Sequence, residues 1–309
     1  MPKQYLEIFS NKSLFELAIE RNLPFSDKQI VVGNEANYQL SLNILDKMCV
    51  KSAMHIVEAA PRNTAAAIAF AAFSMPPDAL LLVTPADHII EGTETYKQAV
   101  EKALELAEDG YLVTFGVEPT KPETGYGYIE FDKDNVVAFK EKPDSETAKE
   151  FLRKGTFLWN SGMFCFKAGV FLNELEECSP QIFLKSKEAF LQIRNGHMEL
   201  NSSMEIPDVS IDIAVMEKSD KIKVIKANFQ WSDMGSFDAV YDYLKENGQL
   251  MDINHNMQMG DTKPTFFVGL DNCIFISTKD ANLVVAKGAS QEVKSLYQFL
   301  EKNNSELLH

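Results

Sequence analysis

The chain has 309 residues, a formal net charge of −15 and a hydrophobic content of 45%. This length allows one large domain or two smaller ones, and we favour a single large α/β domain with a tail. The acidic balance argues against a general nucleic-acid or anionic-membrane surface because no long basic run offsets it. The scattered cysteines lack CxxC spacing, which favours a reducing cytoplasm over a disulfide framework or a zinc site. No signal peptide is recognisable, and no apolar run approaches the roughly 18 residues that span a bilayer.

Strands and helices alternate in the predicted order up to Val117. A helix apolar on every side is predicted over 65–73, with Asn63 or Thr64 as its N-cap. Alternation of this kind predicts parallel βαβ units, and therefore a doubly wound α/β fold. The predicted strands are 29–34, 54–58, 80–83 and 112–117, and the other predicted helices are 13–19, 38–48 and 95–107.

The strand over 80–83 is followed by Thr-Pro-Ala and then by Asp87. Ligands bind at the carboxyl ends of strands in open α/β sheets, and a carboxylate there can hold a divalent cation. Asp233, in a Gly-containing turn, offers a second carboxylate for the same ion. In the alternative interpretation, Asp87 merely ends a strand and Asp233 caps a turn.

Arg62 precedes the predicted buried helix, where free N–H groups and a guanidinium can meet one anion. The alternative is an arginine on a solvated loop. Farther along, Glu141 could accept hydrogen bonds from sugar hydroxyls while Lys142 meets a phosphate, or the two could form an ordinary surface pair. For Asp212, in the first turn of a predicted helix, interaction with the helix dipole is favoured over chemistry.

The second half of the chain predicts strands near 128–130, 136–142, 159–166, 222–225 and 229–231, with helices near 169–177, 182–194, 210–217 and 238–244. We place a domain boundary between 1–246 and 247–309. The tail predicts β runs over 265–268, 273–277 and 282–286, and a helix over 293–303. Its strand edges could pair between copies in a homo-oligomer.

An ordered set of motifs between Pro2 and about Lys294 resembles the bacterial mannose-1-phosphate guanylyltransferases. The motifs are Arg62–Ala65, Pro85–His88, Glu123–Ile129, Glu141–Pro143, Trp159–Phe164, Ser210–Asp212, Val215–Lys218 and Trp231–Ser236. The segment Asp280–Ala286 also resembles the β-rich tail of that family.

The resemblance implies a Rossmann-like nucleotidyltransferase with a mixed, mainly parallel sheet and a small β-rich C-terminal segment. It implies transfer of a guanylyl group from GTP to mannose 1-phosphate, giving GDP-mannose and pyrophosphate, with Mg²⁺ as cofactor. Asp87, Lys142 and Asp233 would be catalytic, and Asp87 and Asp233 would hold the metal. The nucleotide side would comprise Lys3, Gln4, Arg62, Asn63, Pro85 and Asp87, and the sugar side Gly125, Tyr126, Glu141, Lys142, Asn160 and Gly162.

Two family features are missing from this sequence. The family opens with a strand and a Gly-rich loop of GGxGTRL type just before the Pro2-Lys3 pair, so Met1 is expected to be an internal start or a fragment boundary. Without that loop we expect impaired catalysis, and without that strand we expect unpaired backbone groups in the sheet. Many relatives also continue into a cupin domain that isomerises mannose 6-phosphate, and isomerase activity is not expected here.

Two alternatives remain at this point. The chain could be a nucleotidyltransferase for another base or sugar, since no residue proves guanine or mannose by physics alone. It could instead be a non-catalytic or fragmentary sugar-nucleotide-binding relative.

Overall fold

The protein is described by a computed structural model over residues 2–5, 12–51, 53–248, 251–260, 263–277, 281–290 and 292–303. Its contacts divide it into two units. The first comprises Met1–Tyr5 and Leu14–Trp231, and the second comprises Leu6–Ser13 and Ser232–His309.

Strands and helices alternate along the first unit, as predicted up to Val117. Its strands are β1 (Gln29–Asn34), β2 (Ala53–Glu58), β3 (Leu80–Val83), β4 (Ile89–Glu91), β5 (Leu112–Val117), β6 (Tyr128–Asp132), β7 (Asn135–Lys140), β8 (Phe157–Lys167), β9 (Ile222–Ala227) and, at its end, β10 (Gln230–Ser232). Its helices are α1 (Leu14–Asn22), α2 (Glu35–Lys47), α3 (Asn63–Phe73), α4 (Thr93–Glu108), α5 (Ser145–Lys154), α6 (Ala168–Cys178), α7 (Pro180–Leu191) and α8 (Leu200–Met204), and a π-helical turn spans Asp212–Met216.

The main sheet has six strands in the order β3-β8-β5-β9-β7-β6, and β8 also pairs with β6. Strands β3, β5, β6 and β9 run in one direction, whereas β7 and β8 run the opposite way. The predicted mixed sheet, with most strands sharing one direction, is therefore confirmed. Because β8 is antiparallel to β3 and β5, its early residue Trp159 pairs with Val117 at the carboxyl end of β5, and its later residue Phe164 pairs with Val83 at the carboxyl end of β3.

Both faces of this sheet are covered by helices. Leu112 and Phe166 face the α3 and α6 side, whereas Val113 and Cys165 face the α4 side, following the two-residue alternation of strands. Phe166 stacks on Phe171 with ring centroids 4.9 Å apart. Burying each such phenylalanine contributes roughly 1.5–3 kcal/mol.

Strands β1 and β2 form a separate parallel pair, and β3 lies at the edge of the main sheet. Helix α3 covers both groups of strands, because Ala69 packs toward Leu81 while Phe70 packs toward Ile56. The prediction of a buried, all-apolar helix is confirmed. Small alanine side chains allow this close packing on two sides.

The predicted N-cap of α3 is wrong. Arg62 occupies the cap position without a side-chain cap, and the first helical residue, Asn63, has a left-handed φ of 66°. The Asn63 Oδ1 accepts a hydrogen bond from the Thr64 N–H at 2.9 Å, and the Thr64 hydroxyl accepts one from Ile211 N–H at 2.9 Å. Both side chains therefore serve local and tertiary contacts that the cap motif does not anticipate.

The second unit contains α9 (Phe237–Glu246), β11 (Met257–Gly260), β12 (Cys273–Ser277), β13 (Asn282–Ala286) and α10 (Glu292–Lys302). The three strands form one sheet, with β11 parallel and β13 antiparallel to β12. The Asp238 carboxylate accepts a hydrogen bond from Gly288 N–H, and Asp242 pairs with Lys287. These contacts group α9 with the tail, and the two units divide after Trp231.

The predicted β run over 265–268 is wrong. That segment is irregular, with Phe266 and Val268 about nine-tenths exposed, and β11 supplies the third strand instead. A short apolar run, Phe266 to Val268, gave a strand signal there, but none of the described strands pairs with it.

Several elements of the first unit escaped sequence reasoning. The short strand β4 and the short helix α8 carry weak local signals, whereas α5 carries two strong ones. Asp144 Oδ1 caps α5 by accepting the Thr147 N–H at 2.8 Å, and Gly155 ends it at a φ of 67°. In place of the helix predicted over 210–217, the structure has a short π-helical turn over Asp212–Met216. Among the described helices, none combines the length and apolarity needed to cross a membrane.

Candidate active site

Asp87 lies just beyond the carboxyl end of β3 and is about one-third exposed. The Lys3 Nζ is 3.0 Å from its Oδ2, and the His88 Nε2 is 3.7 Å from its Oδ1. This carboxylate therefore faces solvent with one cation already beside it. Lys3 and Asp87, predicted on the nucleotide side, are brought together.

Residues 84–88, between β3 and β4, form the Asp87 loop. A series of aromatic side chains connects this loop to β8. The Trp231 Nε1–H donates to His88 Nδ1 at 3.2 Å, which assigns the proton of a neutral His88 ring to Nε2. The Tyr126 ring meets the rings of Trp231 at 5.1 Å and Trp159 at 5.2 Å, both edge to face. Rigid aromatic packing thus fixes the Asp87 loop relative to the start of β8.

Asn160 makes three side-chain hydrogen bonds in the candidate site. Its Nδ2 donates to Asp212 Oδ1 at 2.7 Å, and its Oδ1 accepts from the Gly162 N–H at 3.1 Å and the Thr114 hydroxyl at 3.4 Å. Its main-chain N–H donates to the Gly127 carbonyl at 2.8 Å. Hydrogen bonds at both the oxygen and the nitrogen of the amide therefore determine the orientation of the Asn160 side chain.

Glu141 joins this group because three strand ends converge. Tyr128, the first residue of β6, pairs both with the last residue of β7 and with Trp159 of β8. Glu141 directly follows β7, and a Cβ placed on Gly127 would lie 2.8 Å from its Oε2. Lys142, 64% exposed, places its Nζ 3.1 Å from Glu141 Oε1. The Glu141 carboxylate and the Asn160 amide thus lie beside the main chain of Gly127, which has no side chain. The Lys142 ammonium lies next to Glu141.

Asp212 is a titratable group of this cluster. Burial raises its pKa and the negative charge of Glu141 raises it further, while hydrogen bonds from Asn160 and Ser210 oppose the shift. The sequence favoured a helix-dipole role for Asp212, and the structure instead bonds its carboxylate to Asn160.

Gly162 is the point at which β8, which carries Asn160, lies next to the Asp87 loop. Its φ is +69°, and a Cβ there would lie 3.6 Å from Pro85 Cγ and 4.0 Å from His88 Cε1. A side chain at this position would be strained by the positive φ, and its Cβ would make ordinary van der Waals contact with Pro85. The predicted Pro85 and Gly162 therefore lie together.

Arg62 has a different environment from the one predicted. Its Nε donates to the Ile206 carbonyl at 2.6 Å, and its Nη2 donates to the Met204 carbonyl at 3.2 Å. The guanidinium thus secures the segment after α8, and an anion-binding role for Arg62 and Asn63 stays a prediction.

Two further predicted residues lie at the margins. Gln4 lies in the same helical turn as Lys3. Gly125 is exposed, and its N–H donates to Glu123 Oε1 at 3.2 Å. Their predicted contacts with nucleotide and sugar remain untested.

Asp233 belongs to the second unit. Its Oδ1 accepts a hydrogen bond from the Gly235 N–H at 2.9 Å, and the intervening Met234 has a φ of 48°. The carboxylate therefore stabilises a tight turn, as one of the two sequence interpretations anticipated. Its metal-binding role stays a prediction.

A family model described as nucleotidyl transferase matches residues 1–249. The chain belongs to the nucleotidyltransferase family. An Escherichia coli mannose-1-phosphate guanylyltransferase is 36% identical over 98% of this chain and 70% of that protein. The resemblance inferred from the motifs is thereby confirmed, and the family is one of enzymes.

Solved structures extend the comparison. A Helicobacter pylori protein named mannose-6-phosphate isomerase is 41% identical, with a TM-score of 0.73 over 75% of this chain and 95% of that chain. A Thermus thermophilus protein named mannose-1-phosphate geranyltransferase is 26% identical, with a TM-score of 0.81 over 97% of this chain and 92% of that chain. The likeness to the Thermus thermophilus structure thus covers nearly the whole chain, whereas the family model ends at residue 249.

The donor set of this nucleotidyltransferase is compatible with Mg²⁺ at Asp87. Mg²⁺ is usually held by one or two carboxylates together with substrate phosphates and water. The Asp87 carboxylate has this chemistry, is accessible, and already accepts the Lys3 ammonium as a cation. Over the described parts of the chain, no group of three or more His, Cys, Asp and Glu side chains could hold a metal by itself.

Sequence reasoning missed Glu58 at the end of β2. It is 7% exposed, its Oε1 has no hydrogen-bond partner among the described residues, and burial raises its pKa to about 7 against an opposing hydrogen bond from the Arg62 backbone. An acid at the end of an apolar strand was its only sequence signal.

Proposed function

We propose that this nucleotidyltransferase transfers the guanylyl group of GTP to mannose 1-phosphate, giving GDP-mannose and pyrophosphate. The observation that carries the proposal is the 36% identity, over 98% of the chain, to a protein named mannose-1-phosphate guanylyltransferase. The polar cluster beside the Asp87 loop supports it, since a sugar phosphate and a nucleotide both need such groups.

The sugar would lie against Gly127. Glu141 offers carboxylate oxygens that accept hydrogen bonds from hydroxyls, and Asn160 offers an amide of fixed orientation. Lys142 is exposed beside Glu141, so its ammonium can reach the phosphate of the same substrate. One subsite thus combines hydroxyl recognition with charge neutralisation.

The triphosphate would lie near the Asp87 loop, where Lys3 supplies a positive charge. Asp87 would hold Mg²⁺ together with phosphate oxygens of the substrates. When bound, the ion supplies charge neutralisation between phosphate groups and helps to orient them.

The reaction needs no covalent enzyme intermediate. A phosphate oxygen of mannose 1-phosphate attacks the α-phosphorus of GTP in line, forming a new P–O bond while the bond to the β-phosphate oxygen breaks. Pyrophosphate leaves with the electron pair. The protein contributes positioning and electrostatic stabilisation, which account for most catalysis in phosphoryl transfer.

A substrate matrix tests this proposal. Pyrophosphate release is measured for the purified protein with Mg²⁺, using GTP, ATP or UTP in combination with mannose 1-phosphate or glucose 1-phosphate. We expect turnover with GTP and mannose 1-phosphate well above every other pair, and loss of turnover when Mg²⁺ is chelated.

Three results would contradict the proposal in different ways. Preference for another pair would keep the reaction class but change the base or the sugar. Absence of turnover with thermal protection by GDP-mannose would indicate a binding protein. If neither turnover nor thermal protection by GDP-mannose is observed, the proposed substrate site is wrong.

A further inference from the structure

Asp212 is held in place from two directions. The π-helical turn that begins at Asp212 buries Ala214 and Val215 in the main core. Just before it, the Ile211 N–H donates to the Thr64 hydroxyl at 2.9 Å, which ties the turn to α3. The carboxylate is therefore presented by a rigid backbone, partly accessible at the candidate sugar subsite.

The partners of Asn160 allow only one amide orientation. Gly162 N–H requires an acceptor, which is Asn160 Oδ1, and the Asp212 carboxylate requires a donor, which is Asn160 Nδ2. Exchange of the oxygen and nitrogen would place donor against donor and acceptor against acceptor. Asp212 is the charged half of this arrangement, and hydrogen bonds to charged groups are the stronger ones.

The Asn160 amide has a second N–H in addition to the one given to Asp212. Within the described parts of the chain, no acceptor is assigned to it. The bare backbone of Gly127 lies beside it, since a Cβ there would be 3.8 Å from Asn160 Nδ2 and 2.8 Å from Glu141 Oε2. A hydroxyl-bearing ligand at Gly127 would thus meet one amide donor and one carboxylate acceptor.

We propose that Asp212 is a positioning residue of the sugar subsite: it orients the Asn160 amide so that its second N–H points at a hydroxyl oxygen of the bound sugar phosphate. This inference rests on the proposed function. Asp212 itself acts through Asn160 and supplies neither a nucleophile nor a metal ligand.

The ionised carboxylate accepts the Asn160 hydrogen bond more strongly than the protonated carboxyl group does. Its pKa is raised by burial and by Glu141 and lowered by Asn160 and Ser210, which are the groups that face it. Protonation at acid pH adds a donor to the carboxyl group and weakens its acceptance of the Asn160 bond. Sugar affinity should therefore fall at the acid end in the wild type and be less dependent on pH in Asp212→Asn.

The test compares Asp212→Leu, which removes the acceptor, with Asp212→Asn, whose amide oxygen can still accept. For Asp212→Leu we expect the KM for mannose 1-phosphate to rise about tenfold to a hundredfold, from the loss of one charged hydrogen bond, while the KM for GTP stays within about twofold. Asp212→Asn should recover most of the affinity. Asp208→Leu, at an exposed position on the same segment, is the matched control and should behave as wild type.

A double-mutant cycle separates positioning from general damage. If Asp212 acts through Asn160, adding Asp212→Leu to Asn160→Ala should cause no further loss. Additive losses, or unchanged sugar affinity in Asp212→Leu, would overturn the inference. Failure of Asp212→Asn to restore affinity while the protein remains folded would also overturn it.

Sugar-phosphate affinity is also measured by titration calorimetry, so the comparison does not depend on turnover. A wild-type protein that binds mannose 1-phosphate without transferring a guanylyl group would contradict the proposed function and leave the Asp212 comparison valid. A wild-type protein without measurable affinity for mannose 1-phosphate would overturn both.

Discussion

Glu58 shows how a single buried acid can influence the whole fold. Its carboxylate is 7% exposed, and one oxygen has no hydrogen-bond partner among the described residues. An ionised group in such surroundings is costly unless it is paired. Burial accordingly raises the pKa of Glu58 from 4.5 to about 7.

Stability should therefore fall as pH rises through this range. Between 4.5 and about 7 the folded state retains a proton that the unfolded state has released, so the free energy of unfolding declines and the loss is complete above the folded pKa. Glu58→Gln should remove this penalty, which is roughly 3 kcal/mol at most.

Urea unfolding of wild type and Glu58→Gln at about pH 5 and about pH 8 measures the effect. The variant should gain stability relative to wild type only at the higher pH. Glu105→Gln, at an exposed helix position, is the control. A stability difference between Glu58→Gln and wild type that does not change with pH would contradict the assignment.

At single residues, sequence reasoning succeeded where chemistry and position agreed. The placement of Asp87 after a strand was inferred from Thr-Pro and an apolar run, and the structure has it there, although Leu81 alone among the β3 residues is buried. Asp212 was misjudged because its partner, Asn160, is distant in the chain and only the fold brings the two together. Arg62 was predicted to be available to an anion, but carbonyl groups from a later segment engage its guanidinium.

At the level of elements, the proposed sugar subsite around Gly127 lies where the ends of β6, β7 and β8 come together. Apolar periodicity was sufficient to predict most strands, because burial imposes it. The pairing of β8 with three neighbours could not be predicted, since strand order depends on non-local contacts. The same limitation applies to α9, which tertiary bonds assign to the second unit.

Gly127 provides a test of this convergence. A methyl group there would lie 2.8 Å from Glu141 Oε2, so the carboxylate must move, although the backbone of Gly127 itself imposes no left-handed conformation. Gly127→Ala should raise the KM for mannose 1-phosphate about tenfold or more, since small displacements at a reacting site are costly.

Steady-state kinetics with each substrate varied in turn measures this prediction. The KM for GTP should remain close to that of wild type. Gly33→Ala is the matched control, because a Cβ at Gly33 meets no atom within 4 Å. An equal rise in both KM values for Gly127→Ala would indicate general disruption and contradict a local effect on the sugar.

For the whole molecule, charge is the main constraint on substrate binding. The net charge of −15 would repel the proposed substrates, GTP and mannose 1-phosphate, at long range, so their binding would depend on local cations such as Lys3 and Lys142. The composition alone was sufficient to predict that the electrostatic potential of the protein is negative on average. The positions of the compensating lysines required the fold.

The second unit adds a three-stranded sheet in which β13 has one unpaired edge among the described strands. Pairing of such edges between copies was predicted from the β-rich tail and stays a prediction. The molar mass of the protein in solution tests this pairing, since a monomer mass would contradict it.

The central claim is that the site around Asp87 transfers a guanylyl group to mannose 1-phosphate. The most direct measurement is the rate at which label from α-labelled GTP appears in GDP-mannose, for wild type, Asp87→Asn and Asp78→Asn. Asp78 is an exposed aspartate in the turn before β3 and serves as the control. We predict a loss of about a hundredfold or more in Asp87→Asn alone, as expected when electrostatic stabilisation of the transition state is removed. A rate for Asp87→Asn equal to that of Asp78→Asn would contradict the account.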